Sequence, residues 1–306
     1  MKRPAQRLPK RSLRRPQKSH KGHFGHAWIV AGSGPGMAGA GCLAVAAALR
    51  SGAGKTSWVT TRESYRAMGR AVPEAMSLVL PDVAFQKLTA AAIARILKKV
   101  LATATAVGAG PGLGRTSAAR RLIHGLMAAS RVPLVLDADA LWALEGEPAR
   151  LKRAKAPVIL TPHEGELKRL FGKVLIEGED ASGSVAKRIA NQYHCVLVWK
   201  GPRTRVVSPG GKIFVNSTGN PGLAKGGSGD VLTGMIAALA AQGFEPWTAA
   251  CLGVRAHGLA ADRAVRSSSV TSLLSSDLLA ALPSVWSELE KKDDLISTVC
   301  SKSIRR

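Results

Sequence analysis

Apolar residues along this chain come in short unbroken runs rather than in strict alternation. "HAWIVAG" (26–32), "TSWVTT" (56–61), "TATAVGA" (103–109), "PLVLDA" (133–138), "PVILTP" (157–162) and "CVLVWKG" (195–201) each predict a strand. Between them the apolar spacing widens to three and four residues, which predicts helices over 40–52, 116–129, 164–171 and 181–192. Continuous apolarity in strands separated by helices means that both sheet faces are covered, as in a parallel sheet between two helical layers. "TRVVSPGGKIFVN" (204–216) breaks the rhythm: two extended runs flank a Pro-Gly-Gly turn and predict a hairpin at one edge. Three helices then close the chain, at 230–242, 247–264 and 275–291. The expectation is one α/β domain over 21–292, preceded by a disordered basic tail at 1–20 and followed by a loose end at 293–306.

Composition agrees with one large domain: 306 residues at 46% hydrophobic can bury a substantial core. Net charge is +24, and residues 1–23 hold nine Lys or Arg with no acid. Pro4, Pro9 and Pro16 interrupt any amphipathic helix there, so the tail reads as a solvated arm with weak attraction for RNA, DNA or anionic lipid. No nucleic-acid-binding motif accompanies the charge, and 4% aromatic residues leave little for base stacking, so nucleic acid is not an expected partner. Residues Ala27 to Leu49 carry no charge, yet their middle, "AGSGPGMAGAG", has too few large apolar side chains for a membrane anchor. Cys42, Cys195, Cys251 and Cys300 lie far apart without metal-ligand spacing, which points to reduced thiols and a cytoplasmic protein.

Three glycine clusters compete as phosphate sites. "GPGMAG" (34–39) satisfies G-x-G-x-x-G between a strand and a helix, but the nearest acid for a ribose is Glu63, beyond the second strand, and Pro35 removes a backbone donor. A glycine-lined wall against another ligand is the better reading. "GAGKT" (52–56) follows a helix and precedes a strand, the reverse of a P-loop. "GGSGD" (226–230) stands directly before a helix whose apolar residues Val231, Leu232, Met235, Ile236 and Leu239 repeat at helical spacing. The backbone N–H groups of Gly227, Ser228, Gly229 and Asp230 can there converge on an anion at a helix N-terminus. A carboxylate at the rim of such a hole repels bound phosphate. That cost makes sense if Asp230 faces a hydroxyl that loses its proton as it attacks; the plainer alternative is a helix cap.

With these residues in place, "NPGLAKGGSGDVLTGMIAALAAQG" (220–243) resembles the signature of ADP- or ATP-dependent NAD(P)H-hydrate dehydratases of the ribokinase-like superfamily. The blocks "GMAGAGCLAVAAALRSGAG" (36–54), "GAGPGLG" (108–114), "VLDADAL" (135–141), "LTPHEGE" (160–166) and "WKGPRT" (199–204) follow the same family in order. The resemblance implies a three-layer α/β/α ribokinase-like sandwich with a mostly parallel sheet and an edge hairpin. It implies the ADP-dependent dehydration of the S epimer of hydrated NADH or NADPH, with AMP and phosphate released; a vitamin-type small-molecule kinase on the same fold is the alternative. It further implies Asp230 as catalytic base and Gly227, Ser228 and Gly229 as anion hole. Ala40, Gly112, His163 and Asp230 would line the hydrated dinucleotide, and Lys200, Gly201, Pro202, Arg203, Thr204 and Gly229 the ADP or AMP. Glu166 would orient Mg2+ through water. For His163 a helix-start role, for Glu166 a first-turn glutamate and for Arg203 a plain surface arginine are the structural alternatives. Implied partners are ADP, the two hydrates, a separate NAD(P)H-hydrate epimerase and further copies of the chain in a homotetramer, with no membrane.

Overall fold

The computed structural model describes residues 12–82, 88–172 and 183–291. Residues 1–11 of the basic tail, 181–182 of one predicted helix and the expected loose end at 293–306 lie outside them.

Nine strands form one sheet in the order β3-β2-β1-β4-β5-β6-β7-β8-β9. They are β1 (His26–Val30), β2 (Lys55–Thr61), β3 (Met76–Leu80), β4 (Ala106–Ala109), β5 (Leu134–Leu136), β6 (Val158–Leu160), β7 (Cys195–Trp199), β8 (Arg205–Val207) and β9 (Ile213–Val215). The first seven are parallel, and β8 and β9 add the expected antiparallel hairpin, with Leu197 opposite Val207 and Arg205 opposite Val215.

The central strands are buried on both faces, which is why their residues run apolar without interruption. In β1, Ala27 and Ile29 belong to one core and Trp28 and Val30 to the other. The first core packs helices α1 (Ala38–Arg50), α8 (Ser228–Ala241), α9 (Pro246–Ala264) and α10 (Ser275–Lys291) on one face. The second packs α3 (Ala90–Leu101), α4 (Ser117–Ala129), α6 (Glu164–Phe171) and α7 (Ser184–Gln192) on the other. Two short helices, α2 (Arg62–Met68) and α5 (Asp139–Trp142), complete the helices used below. The expected three-layer sandwich is therefore the fold observed.

Strand order reverses between β1 and β4, and in parallel sheets that switch point opens a crevice beyond the carboxyl ends of the strands. The glycine-rich loops after β1 and β4 meet there: Gly32 N–H donates to Pro111 O at 2.8 Å and Gly34 N–H to Gly112 O at 2.9 Å. In "GPGMAG" the Gly34 amide is thereby spent on a carbonyl of the neighbouring loop. "GAGKT" falls at the opposite end of the sheet, leading into β2.

The basic tail departs from expectation where it is described. Arg14 Nε donates to Glu290 O (2.9 Å), near the end of α10, while the Arg15 guanidinium donates to Gly52 O, just past α1, and covers the Phe24 ring at 4.0 Å. Cations suit the electronegative C-termini of helices. Arg14 and Arg15 therefore reach the domain, while Pro16, Gln17 and Lys18 stay exposed. Among the described residues no helix is long and apolar enough to cross a membrane, and Cys42, Cys195 and Cys251 are free thiols.

Candidate active site

Helix α8 supplies the platform. Twelve of its 14 residues are buried, so the helix is fixed by packing along nearly its whole length and its first turn cannot drift. Gly227 precedes it with φ 90, a left-handed conformation that an L side chain adopts only at a cost. A Cβ at Gly227 would also lie 2.7 Å from Leu43 Cδ1 and 2.9 Å from Ser275 Oγ. Glycine is thus required to turn the chain into the helix.

The amides of Gly229 and Asp230 donate to no acceptor among the described residues, whereas Ser228 N–H has a long bond of 3.4 Å to Lys225 O. The expected anion hole therefore keeps donors to offer, but Ser228 contributes less than its neighbours. No side chain caps α8, which removes the plainer reading of Asp230 as a helix cap. Burial, reinforced by the nearby charge of Asp137, pushes the Asp230 carboxyl up to about 7; Lys200 opposes the shift and Asp139 adds to it. Asp230 is only partly buried, so its carboxyl is not sealed in the core.

Beside this turn sits a charge cluster whose centre composition and spacing do not reveal. Asp137, 1% exposed at the end of β5, accepts from Lys200 Nζ at 2.9 Å and from Thr233 Oγ1 at 2.7 Å. Lys200 Nζ also lies 3.6 Å from Glu166 Oε2. Burial opposes the charge on Lys200, yet Asp137, Glu166 and Asp230 outweigh it and hold the ammonium above its ordinary value. A Cβ placed at Gly229 would lie 3.4 Å from Lys200 Nζ and 3.5 Å from Asp137 Oδ2, so the cluster adjoins the unpartnered amides. Ala138, between Asp137 and Asp139, takes φ 47, a strained value for alanine of the sort that gathers at functional sites. Asp139 accepts from Gly114 N–H (2.9 Å) and pairs with Arg115 (3.0 Å), which ties the loop after β4 to the loop after β5.

The other expected residues lie beyond the carboxyl ends of β1, β4, β6 and β7. Ala40, near the start of α1, and Gly112 are neighbours, since a Cβ on Gly112 would stand 3.0 Å from that of Ala40. His163 bridges β-fashion to Lys200 and starts α6: its Nδ1 accepts from Gly165 and Glu166 N–H, while Glu166 Oε2 accepts His163 N–H at 2.9 Å. Both structural alternatives thus hold at least as part of the account, because His163 and Glu166 form a reciprocal helix cap. Gly201, Pro202 and Arg203 are exposed, and Thr204 Oγ1 closes their turn by donating to Gly201 O at 3.0 Å. Lys225, whose ammonium could face polyanions, instead donates to Thr271 O at 2.8 Å.

Among the described residues no three or more His, Cys, Asp or Glu side chains are arranged to hold a metal ion. Asp137, Asp139, Thr233 and His257 join the site without a role expected from sequence. An acid directly after a wholly apolar strand was the available signal for Asp137; Thr233 and His257 look like any polar residue within a helical pattern.

Residues 27–284 match the NAD(P)H-hydrate dehydratase family. A bifunctional NAD(P)H-hydrate repair enzyme of Moorella thermoacetica is 39% identical over 92% of this chain and 53% of its own length, so the chain spans about half of such bifunctional relatives. An ADP-dependent (S)-NAD(P)H-hydrate dehydratase of Neisseria meningitidis is 38% identical over 84% of this chain and 83% of its own. The crystal structure of an ADP/ATP-dependent NAD(P)H-hydrate dehydratase from Bacillus subtilis, co-crystallised with ATP and Mg2+, superposes with a TM-score of 0.75 at 34% identity, covering 90% of this chain and 93% of that one. With its ribokinase-like sandwich and a match running through both glycine loops and the 226–230 turn, the chain belongs to the NAD(P)H-hydrate dehydratase family.

Proposed function

We propose that this protein dehydrates the S epimer of hydrated NADH and NADPH at the expense of ADP, restoring the dihydronicotinamide. The observation that carries the reading is the pairing of an ionisable Asp230 with unpartnered amides at the mouth of α8. Asp230 takes the proton of the ring hydroxyl as its oxygen attacks the β-phosphorus of ADP, and the bond to the bridging oxygen breaks, leaving AMP. Gly227 and Gly229 N–H groups, with Lys200 beside them, receive the charge of the moving phosphoryl group. Hydroxide is a poor leaving group and phosphate a good one. The ring nitrogen next to the phosphorylated carbon expels phosphate, and loss of a proton from the adjoining ring carbon regenerates the double bond. Ala40, Gly112 and His163 line the dinucleotide side of the crevice, and Lys200 to Thr204 the adenine-nucleotide side.

One ammonium faces three carboxylates, Asp137, Glu166 and Asp230, so a nucleotide polyphosphate meets net negative charge. A divalent cation relieves that conflict. Mg2+ would be brought by the phosphates and kept partly hydrated, held through water by Glu166 or Asp137, and when bound it would supply charge neutralisation. Titrating the protein with ADP in EDTA is therefore expected to show affinity at least tenfold weaker than in millimolar Mg2+; equal affinities would remove the cation from this account. An epimerase that interconverts the two hydrate epimers is the natural supplier of substrate, and a homotetramer the assembly state proposed.

The assay uses hydrated NADH and ADP, with absorbance of the reduced nicotinamide and free phosphate followed together. Equal yields of both are expected. Phosphate without restored absorbance sinks the dehydratase reading, and AMP with neither signal identifies a kinase that keeps its product.

A further inference from the structure

A trans peptide is planar, so the carbonyl of Ser228 and the amide of Gly229 belong to one rigid unit and point in opposite directions. The amide end makes no hydrogen bond to a described residue. The carbonyl end is held. His257, projecting from α9 and 7% exposed, places Nε2 2.9 Å from Ser228 O and 3.4 Å from Ser228 Oγ. A carbonyl oxygen only accepts, so Nε2 carries the ring proton and the tautomer is fixed. Burial lowers the imidazole to about 4, which keeps the ring neutral through the physiological range and excludes it as a cationic phosphate ligand.

Such a tether answers a local problem. Ser228 opens α8, so its carbonyl sits in the first turn of the helix, where the ladder has its end and fraying begins, with a left-handed glycine just ahead of it. The imidazole adds a second donor to that carbonyl and so holds the first turn against fraying, and polarisation of the peptide strengthens the N–H at its other end.

We propose that His257 is a positioning residue for phosphoryl transfer, holding the Ser228 carbonyl so that the Gly229 N–H is aimed at the migrating phosphoryl group. The proposal rests on the reading of the 227–230 turn as the phosphoryl cradle. It assigns His257 no contact with substrate.

Two amide substitutions separate reach from polarity. In His257→Gln the side-chain nitrogen can reach the place of Nε2 and donate; in His257→Asn it is too short. The measurements are kcat and KM with hydrated NADH and ADP, AMP affinity by calorimetry, and Tm. His257→Asn is expected to lose about tenfold in kcat, less than the 10²–10³ typical of deleting an oxyanion donor outright. AMP, which lacks the transferred phosphate, should bind within about twofold of wild type, and His257→Gln should recover most of kcat. A kcat in His257→Asn equal to wild type overturns the proposal. So does a Gln variant as slow as the Asn variant at unchanged Tm, or a parallel loss of AMP affinity. Failure of the cradle reading shows separately, in wild-type protein that releases no phosphate from ADP and the hydrate, and it overturns both.

Discussion

Asp230→Asn is expected to lower turnover by ~10²–10⁴-fold while ADP binds as tightly as in the wild type or more so. The loss follows from removing the carboxylate that stands in the first turn of α8 to take a proton from an attacking hydroxyl. Retained affinity follows from removing a negative charge next to bound phosphate. The pH dependence has a definite sign: the base works as carboxylate, so with a carboxyl pushed up to about 7, kcat/KM should fall roughly tenfold per pH unit below that value. Stability supplies an independent check. The folded protein binds the Asp230 proton more tightly than the unfolded chain does, whose carboxyl sits near 3.8. The stabilisation by that proton is therefore present at low pH and lost as pH rises through about 7. Asparagine escapes the loss, so the variant should melt no lower than wild type at pH 8. A cap residue predicts the reverse, a cost of about 0.5–2 kcal/mol with little change in turnover. A stable, nearly wild-type enzyme, or a destabilised active one, would return Asp230 to a structural role.

How much of this could be read from the residues depends on the range of the interaction involved. Strands such as β1 and β7 show in sequence because burial on both faces forces a continuous apolar run. β3 is different: Met76–Leu80 is an edge strand whose short apolar run stays largely exposed, so burial on both faces does not account for it. The helices Arg62–Met68 and Ala90–Leu101 are likewise found only in the structure. At the site, the glycine turn was legible because backbone conformation and residue type are bound together at Gly227. The Asp137–Lys200–Glu166 cluster was not, since its members follow three different strands, Glu166 from the first turn of a helix, and only sheet order brings them together. His257 is further removed still: nothing in "VRAHGLAAD" indicates that its imidazole ends on a carbonyl in the preceding helix.

The second large effect concerns that cluster. Lys200→Met is expected to destabilise the domain by about 3–5 kcal/mol, a large fraction of the ~5–15 kcal/mol that holds a typical protein folded. The reason is not the lost attraction as such. Asp137 is almost wholly buried and Glu166 nearly so, and methionine leaves both carboxylates without their shared cation in a place where water cannot reach them well. Adding Asp137→Asn should relieve part of the damage, because the amide needs no cation and can still accept from Thr233. The double variant should thus be more stable than Lys200→Met alone, a non-additivity of about 0.5–3 kcal/mol readable from urea midpoints at constant slope. Additive costs would mean that Lys200 and Asp137 do not act as a pair. Nucleotide binding then separates the fold from the function. Lys200 adjoins the Gly229 amide, so ADP affinity should stay weak in the double variant even where stability returns. If affinity returned together with stability, the ammonium would be a structural counter-ion of Asp137, and the phosphates would have to be held by the α8 amides and their cation alone.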